Sequence, residues 1–196
     1  MCIPELTGTG LSLGQSTLMA RLPSIPDQKP HRVPVEVYLR CSDWEPDAEF
    51  VDGEIEERPA ATYDHSTWHA AILGFFSDHR TEWNIRVMPS LRVHVAPTRY
   101  RVPDVTILDR NQPIEQIITH PPVAVFEILS PEDRHTRFTR KLNDYEAMGI
   151  PQIWVIDPEG PAIHRFQNGH LAPSSLFDEP QRGIRFELRE IEALLD

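Results

Sequence analysis

The amino-acid sequence predicts one α/β (α+β) domain in which helices flank a mixed β-sheet. Three observations carry this prediction. The chain has 196 residues, which matches a single domain with one well-packed core. Strand-like and helix-like segments alternate through its middle, as they do in proteins that combine helices with a sheet. In the segment VAVFEIL neither face of the predicted strand is suited to water, which is typical of a central strand in a covered sheet.

The composition is that of a soluble globular protein and excludes several other classes. Hydrophobic residues make up 40% and charged residues 25% of the chain, unlike a disordered or membrane protein. No apolar run approaches the ~18 residues of a membrane-spanning helix, and the N-terminal stretch lacks the basic start and apolar segment of a secretory signal. We therefore expect a cytoplasmic protein without a membrane partner, in which Cys2 and Cys41 are free thiols.

Prolines divide the chain into an arm and a domain. The 19 prolines are about twice the usual share, and they concentrate near the N-terminus. We interpret residues 1–33 as an irregular N-terminal arm and residues 34–196 as the folded domain. A short helix is expected directly after Pro34, in the segment VEVYLRCS.

The next two predicted elements are a hairpin and a long helix. The segment AEFVDGEIEER contains two strand-like runs around Asp52 and Gly53, a dipeptide that favours a tight turn. In the segment HSTWHAAILGFFSDHRTEW, large apolar residues recur at helical spacing, and Thr62 and Asp64 are the candidate N-caps. These apolar residues are Trp68, Ile72, Phe75, Phe76 and Trp83.

The remaining elements are strands on either side of one further helix. The segments SLRVHVA, YRVPDVTILD and VAVFEIL predict three strands. A helix is expected from about Thr136 to Gly149, where glycine is a natural stop. QIWVIDP predicts a buried strand, and AIHRFQNGHLA a hairpin that turns at Asn168 and Gly169. The tail GIRFELREIEALLD predicts a strand or a short helix.

The charge distribution bears on nucleic-acid binding. A net charge of -11 argues against a phosphate-rich partner. However, an acidic block lies between Asp43 and Glu57, whereas a basic cluster in the segment RHTRFTRK offers phosphate a local surface. An ordinary solvated helix face is the commoner explanation for such a cluster. Its members are Arg134, Arg137, Arg140 and Lys141.

Two predicted central strands each carry a carboxylate, Asp104 and Glu127. Strand alternation places Glu127 on the face of Val125, whereas Phe126 points the other way. A carboxylate buried without partners costs several kcal/mol, on the order of the stability of a whole domain. A cation, a metal ion or a proton must therefore compensate Glu127.

The helix after Glu127 supplies such a cation. On a helical wheel, Lys141 falls inside the apolar sector that contains Leu142 and Tyr145. Arg137 and Arg140 fall progressively toward the rim of this sector and solvent. We therefore expect Lys141 to point at the core and to pair with Glu127.

Two acids and a lysine can serve metal-dependent phosphodiester hydrolysis. Carboxylate oxygens are ligands that Mg²⁺ prefers, the ion retains water that can become the nucleophile, and lysine can orient this water and counter developing charge. By spacing alone, a structural buried ion pair explains the same residues. A glycosidase with paired carboxylates is less natural because a lysine would lie between its acids. Zinc binding by His65 and His69 lacks a third ligand in the sequence.

An ordered set of motifs resembles one protein family. The order VPDV, VFEILSP and KLNDYEAMGIPQIWVIDP, together with the upstream FVDGEI and the helix opening at His65, resembles the Uma2 family of restriction endonucleases. This family lies within the PD-(D/E)XK nuclease superfamily, and the likeness covers about residues 34–190. Pro103 and Asp104 match the first motif, and Glu127 matches the second acid. The signature lysine two residues later is replaced by Leu129, and its role in this family falls to the following helix, where Lys141 stands.

The resemblance implies a restriction-endonuclease-like fold and a metal-dependent endonuclease acting on DNA. It implies that Asp104 and Glu127 hold Mg²⁺ or Mn²⁺, with Lys141 beside the attacking water. Glu54 matches a further acid of the family, and a solvated hairpin acid is the alternative. His65 matches a histidine often found at this helix start, for which contact with the scissile phosphate and a capping or core role are the two alternatives.

One position departs from the family pattern. The family often has an acid four residues before the lysine, where this chain has Arg137. Either the acid is dispensable or metal affinity is altered here. Arg137 could instead form a phosphate-binding rim with Arg134 and Arg140. The runner-up interpretation is a catalytically inactive module in which Glu127 and Lys141 form a structural ion pair. Cutting both DNA strands would be easiest for a homodimer, which presents two sites.

Overall fold

The computed structural model describes residues 32–40, 48–58, 60–130, 135–160 and 162–195. These residues all belong to one compact unit over His31–Asp196. The predicted arm lies outside the described residues except for its last two positions, and Cys2 and Cys41 lie outside them as well. The boundary at residue 34 stays a prediction.

Helices and strands follow the order that the sequence predicts, with some additions. The helices among the described residues are α1 (Val35–Arg40), α2 (Tyr63–Asp78), α3 (His135–Met148) and α4 (Arg189–Glu192). The strands before α3 are β1 (Glu49–Val51), β2 (Glu54–Glu56), β3 (Ile85–Pro89), β4 (Val93–Ala96), β5 (Arg99–Arg101), β6 (Val105–Asp109) and β7 (Ala124–Ile128). Those after it are β8 (Gln152–Asp157), β9 (Ala162–Gln167), β10 (His170–Pro173), β11 (Leu176–Glu179) and β12 (Ile184–Glu187).

The strands form a central sheet and two smaller ones. The central sheet has six strands in the order β10-β9-β8-β7-β6-β3. It is mixed, because β7 and β8 run parallel while its other neighbours are antiparallel. Helix α3 provides the crossover that a parallel pair requires. A second sheet has the order β2-β1-β5-β4, and β11 pairs with β12 alone. The predicted mixed sheet flanked by helices is confirmed.

Helices cover both faces of the central sheet, and strand β7 lies between them. Phe126 faces α2, and its ring centroid lies 5.3 Å from that of Phe76. Val125 belongs instead to the apolar cluster that contains Leu142 and Tyr145 of α3. Because side chains alternate along a strand, Glu127 lies on the α3 side of the sheet, as the sequence predicts.

Helix α2 begins as predicted but ends earlier. The hydroxyl of Thr62 accepts the backbone N–H of His65 at 3.3 Å, so Thr62 is the N-cap. The helix ends at Asp78, and Nδ1 of His79 lies 2.9 Å from the carbonyl oxygen of Phe75 in its last turn. Trp83 is therefore not helical but lies in the following turn, where its ring stacks on His79 at 4.3 Å.

The segment predicted as one strand, YRVPDVTILD, is two strands in different sheets. Strand β5 pairs with β1 and β4, whereas β6 pairs with β3 and β7. The chain changes sheets over Val102–Asp104, where Pro103 has no backbone N–H to donate to a ladder. This break places Asp104 directly before β6, at the boundary between the two sheets.

Two strands were missing from the sequence prediction. Strand β3 is half exposed, and within the described part of the chain it pairs only with β6, as β11 pairs only with β12. Each is only four or five residues long, so its few apolar residues are too short a run to identify a strand locally. Pairing with a neighbour, rather than its own pattern, makes each a strand.

The end of α3 yields a stability prediction. Gly149 follows the helix with a φ of +91°, which L side chains rarely adopt. Gly149→Ala should lower the free energy of unfolding by about 1 kcal/mol or more in urea denaturation. Gly74 is the matched control, because it lies inside α2 and a Cβ added there would meet no other atom within 4 Å. Gly74→Ala should raise it by ~0.5–1 kcal/mol, and equal effects of the two substitutions would contradict the expectation.

Candidate active site

Three elements bring the predicted acids and lysine together at the boundary between the sheets. Asp104 directly precedes β6, Glu127 lies on β7 and Lys141 lies on α3. All three are buried, with exposed fractions of 3%, 2% and 7%. These residues are far apart in the sequence, and the sheet and the crossover helix bring them together.

Glu127 is held at both carboxylate oxygens. Lys141 Nζ donates a hydrogen bond of 2.7 Å to Oε2, and the Tyr145 hydroxyl donates one of 2.6 Å to Oε1. Lys141 and Tyr145 lie one helical turn apart on α3, which lets both reach the same carboxylate. The orientation of Glu127 is therefore determined by α3.

The protonation of Glu127 is shifted by its surroundings. Burial raises the pKa of Glu127 to about 7, and the charges of Asp104 and Glu49 act in the same direction. Lys141 and Arg58 lower the pKa of Glu127 but do not offset burial. The ionised form of Glu127 would thus be favoured by any additional positive charge in this site.

Asp104 is bound at both oxygens but remains ionised. Its Oδ2 accepts the backbone N–H of Ile128 at 2.7 Å, which prolongs the β6–β7 ladder beyond the end of the strand. Its Oδ1 accepts a hydrogen bond from Arg58 Nη2, and His65 Nε2 lies 3.4 Å away. Burial raises the pKa of Asp104, but His65, Arg58 and Lys141 outweigh it and hold the pKa well below its usual range.

A third acid, Glu49 on β1, completes the surroundings of Lys141. Its Oε1 lies 2.8 Å from Lys141 Nζ and accepts the backbone N–H of Val102 at 3.0 Å. Lys141 also donates to the Val102 carbonyl at 3.2 Å, so three acceptors surround the ammonium group. Burial raises the pKa of Glu49, but Lys141 and Arg101 outweigh it and lower the pKa to about 2.

The sequence prediction chose a different acid of the same hairpin. The Glu54 side chain is exposed and makes no hydrogen bond or ion pair with the residues that the structure describes. Its partner in the hairpin register is Val51, at the turn, whereas Glu49 pairs with Glu56 at the far end. A signal was present in the sequence, since Glu49 stands between the apolar residues Ala48 and Phe50 at the start of a predicted strand.

A buried arginine connects Glu49 to the surface. Arg101 is fully buried and donates through Nη1 to Glu49 at 2.8 Å and to Glu56 at 3.0 Å. Its Nε donates to Asp144 of α3 at 2.8 Å. Three carboxylates therefore compensate one guanidinium, as a buried charge requires. This contact fixes α3 against the second sheet.

The predicted phosphate-binding arginines lie at the rim, and hairpin acids hold two of them. Arg137 donates to Glu56 at 3.0 Å and to the Glu57 carbonyl at 2.9 Å. Arg140 donates to the other oxygen of Glu56. Their side chains are 39% and 43% exposed, as the helical wheel predicts. Arg134 lies outside the described residues.

Two histidines of α2 lie around Asp104. Nε2 of His65 faces the carboxylate, and Nε2 of His69 lies 2.9 Å from the Asp104 carbonyl oxygen. Nδ1 of His65 is buried and has no hydrogen-bond partner among the described residues. Both histidines thus orient Asp104, and His65 also donates its backbone N–H to the N-cap Thr62.

A protein-family model matches most of the chain. This model, described as "Uma2: Putative restriction endonuclease", matches residues 35–189. A comparison with curated proteins found no match. The described helices include none that is both long and apolar enough to cross a membrane.

Two solved structures resemble the chain. The first is the "crystal structure of a putative nuclease belonging to DUF820" from Anabaena variabilis, with a TM-score of 0.70 and 20% identity over 84% of this chain and 99% of that one. The second is the cryo-EM structure of the DrdV–DNA complex, with a TM-score of 0.39 and 19% identity over 68% of this chain and 11% of that one. The first likeness confirms the restriction-endonuclease-like fold.

The buried lysine yields a stability prediction. Lys141→Met leaves Glu127 and Glu49 without their shared cation, so we expect a loss of about 3–5 kcal/mol in the free energy of unfolding. Arg185→Met is the matched control, because it breaks an exposed pair with Asp178 and should cost less than ~1 kcal/mol. Urea denaturation at neutral pH measures both, and a small loss for Lys141→Met would contradict the expectation.

The pKa of Glu127 yields a pH prediction. The unfolded chain ionises Glu127 near 4.5, whereas the folded protein retains the proton up to about 7. Between these values unfolding releases a proton, so this group stabilises the fold at low pH and the contribution is lost as pH rises. Stability of Glu127→Gln relative to wild type should therefore rise across this window, by on the order of 3 kcal/mol. Glu159→Gln, at an exposed position, is the control, and parallel pH profiles for Glu127→Gln and wild type would refute the shift.

Proposed function

Because the chain belongs to the Uma2 family, described as putative restriction endonucleases, we propose that it is a divalent-metal-dependent endonuclease that hydrolyses phosphodiester bonds of DNA. One observation carries the proposal. Two buried carboxylates, Asp104 directly before β6 and Glu127 on the adjacent strand β7, lie near a lysine that α3 directs into the core and that binds Glu127. This is the residue set that such hydrolysis requires.

The residues present fit Mg²⁺ or Mn²⁺ in their chemistry. Asp104 and Glu127 would be the protein ligands, and Oδ2 of Asp104 and both oxygens of Glu127 each retain a second lone pair beside the present hydrogen bond. No three His, Cys, Asp or Glu side chains of the described residues form a ready metal cluster. Mg²⁺ suits such a site, because it is commonly bound by one or two carboxylates and keeps several waters. Burial and the charges of Asp104 and Glu49 raise the pKa of Glu127, and added positive charge would lower this pKa again.

The side chains around these ligands have distinct tasks. When bound, the metal ion would supply an activated water and neutralise charge on the phosphate. Tyr145 holds one oxygen of Glu127 in place, and the Ile128 N–H holds one oxygen of Asp104. Lys141 is the group that would orient the water and counter charge on the phosphate. Because three acceptors surround its ammonium group, Lys141 must exchange one of them to reach a substrate.

Phosphate binding is proposed for the basic rim of α3. Arg137 and Arg140 are partly exposed and pair with Glu56. Exposed ion pairs contribute little stability, so a DNA phosphate can replace the carboxylate at small cost. Arg134 is proposed for the same rim. The predicted cytoplasmic location and homodimer stay predictions.

One specific observation favours the runner-up, a catalytically inactive module. Every carboxylate oxygen of Asp104 and Glu127 already has a protein donor, so the site is a satisfied ion-pair network without a metal. Arg137 also replaces an acid that is usual in the family. Calorimetric titration with Mg²⁺ separates the two functions. Binding that Glu127→Gln abolishes supports the nuclease, whereas no binding in a folded wild type supports the module.

DNA cleavage tests the proposal directly. Wild-type protein incubated with supercoiled plasmid and Mn²⁺ or Mg²⁺ should produce nicked circles. Asp104→Asn removes a charged ligand and Lys141→Ala removes the water-orienting cation, so each should lower the rate by about 100-fold or more. Arg185→Ala, at a remote exposed ion pair, should cleave like wild type. The nuclease proposal is wrong if wild type never nicks DNA over a range of metal and salt concentrations. It is also wrong if the two site variants cut as well as wild type.

A further inference from the structure

Arg58 lies in the candidate active site, although no sequence motif draws attention to it. It belongs to the segment between β2 and α2. Its Nη2 donates to Asp104 Oδ1, and its Nη1 donates to the Val102 carbonyl at 3.3 Å. The guanidinium therefore occupies an oxygen of the acid that the proposed function assigns to a metal ion.

The surroundings of Arg58 are those of a cation site. Lys141 Nζ donates to the same Val102 carbonyl, so two cationic groups lie side by side. Burial lowers the pKa of Arg58, but the charges of Asp104, Glu127 and Glu49 outweigh it and raise the pKa. The guanidinium is thus stabilised by the same three carboxylates that would attract a divalent ion.

Arg58 is placed where it can withdraw. Its side chain is 18% exposed, whereas that of Asp104 is 3% exposed, so Arg58 lies on the solvent side of the carboxylate. The neighbouring residues Glu57, Ala60 and Ala61 are exposed rather than packed in the core. Moving Arg58 outward would therefore break two hydrogen bonds without opening the apolar core.

We propose that the Arg58 guanidinium is a built-in occupant of the cation site, and that a divalent metal ion binds Asp104 only after Arg58 has withdrawn. The inference rests on the proposed function for the choice of metal ligands. Arginine and metal ion compete because the guanidinium lies at Oδ1, the Asp104 oxygen that the Ile128 N–H does not hold, and because the same carboxylates attract both cations. The apparent metal affinity is then lowered by the fraction of molecules in which Arg58 is withdrawn.

Mn²⁺ binding tests the competition without any measurement of cleavage. Free Mn²⁺ is measured by electron paramagnetic resonance as the ion is titrated into wild type, Arg58→Met and Arg58→Gln. Both variants should bind Mn²⁺ about tenfold or more tightly than wild type, because the competitor is removed. Arg182→Met is the matched control, since Arg182 is also partly exposed and pairs with one carboxylate, Asp109, away from the candidate site. It should bind Mn²⁺ as wild type does.

Two further experiments show where Mn²⁺ binds and whether a variant has unfolded. Adding Asp104→Asn to Arg58→Met should abolish the gain, and a gain that persists overturns the inference. Circular dichroism checks folding, and Arg58→Gln, which retains a donor for Asp104, serves if Arg58→Met does not fold. Equal Mn²⁺ affinity in wild type and Arg58→Gln overturns the inference even if wild type nicks DNA. If no variant binds Mn²⁺ and wild type never nicks DNA, the proposed function fails with it.

Discussion

The ion pair between Glu127 and Lys141 is the interaction on which the rest of the site depends. A carboxylate in the middle of an apolar central strand is stable only because α3 brings an ammonium group within 2.7 Å of it. The lysine is shared with Glu49, so one cation joins β7, α3 and β1. The same contacts that stabilise the carboxylates in the core also fix their positions in the site proposed for phosphodiester hydrolysis.

The change of sheets between β5 and β6 gives the site its position. Asp104 stands where the chain leaves the second sheet and enters the central one, and its carboxylate takes the place of a ladder acceptor for Ile128. Just before the break, Arg101 binds Glu49 and Asp144 and so fixes β5 to both β1 and α3. The buried polar residues are therefore concentrated where the two sheets meet, and the apolar clusters occupy the remaining core.

The net charge of this protein does not show where its charges lie. The chain carries -11 overall, but several of its acids are engaged inside the fold rather than presented to solvent. Glu49 is buried with Lys141 and Arg101, and Glu56 pairs with three arginines. Those pairs differ in exposure: the inner ones are shielded from water, whereas Arg137 and Arg140 are partly exposed, and water weakens their pairs with Glu56.

The sequence alone determined which face of its strand or helix several key side chains occupy, through local periodicity. Strand alternation placed Glu127 on the α3 face, and the helical wheel placed Lys141 inside and Arg137 and Arg140 at the rim, because both patterns depend only on neighbouring residues. Only the tertiary structure decided that Glu49 rather than Glu54 reaches the lysine, and that Arg58 covers Asp104. Hairpin register, the break between β5 and β6 and the path of the segment before α2 depend on packing between distant parts of the chain, which no local pattern records.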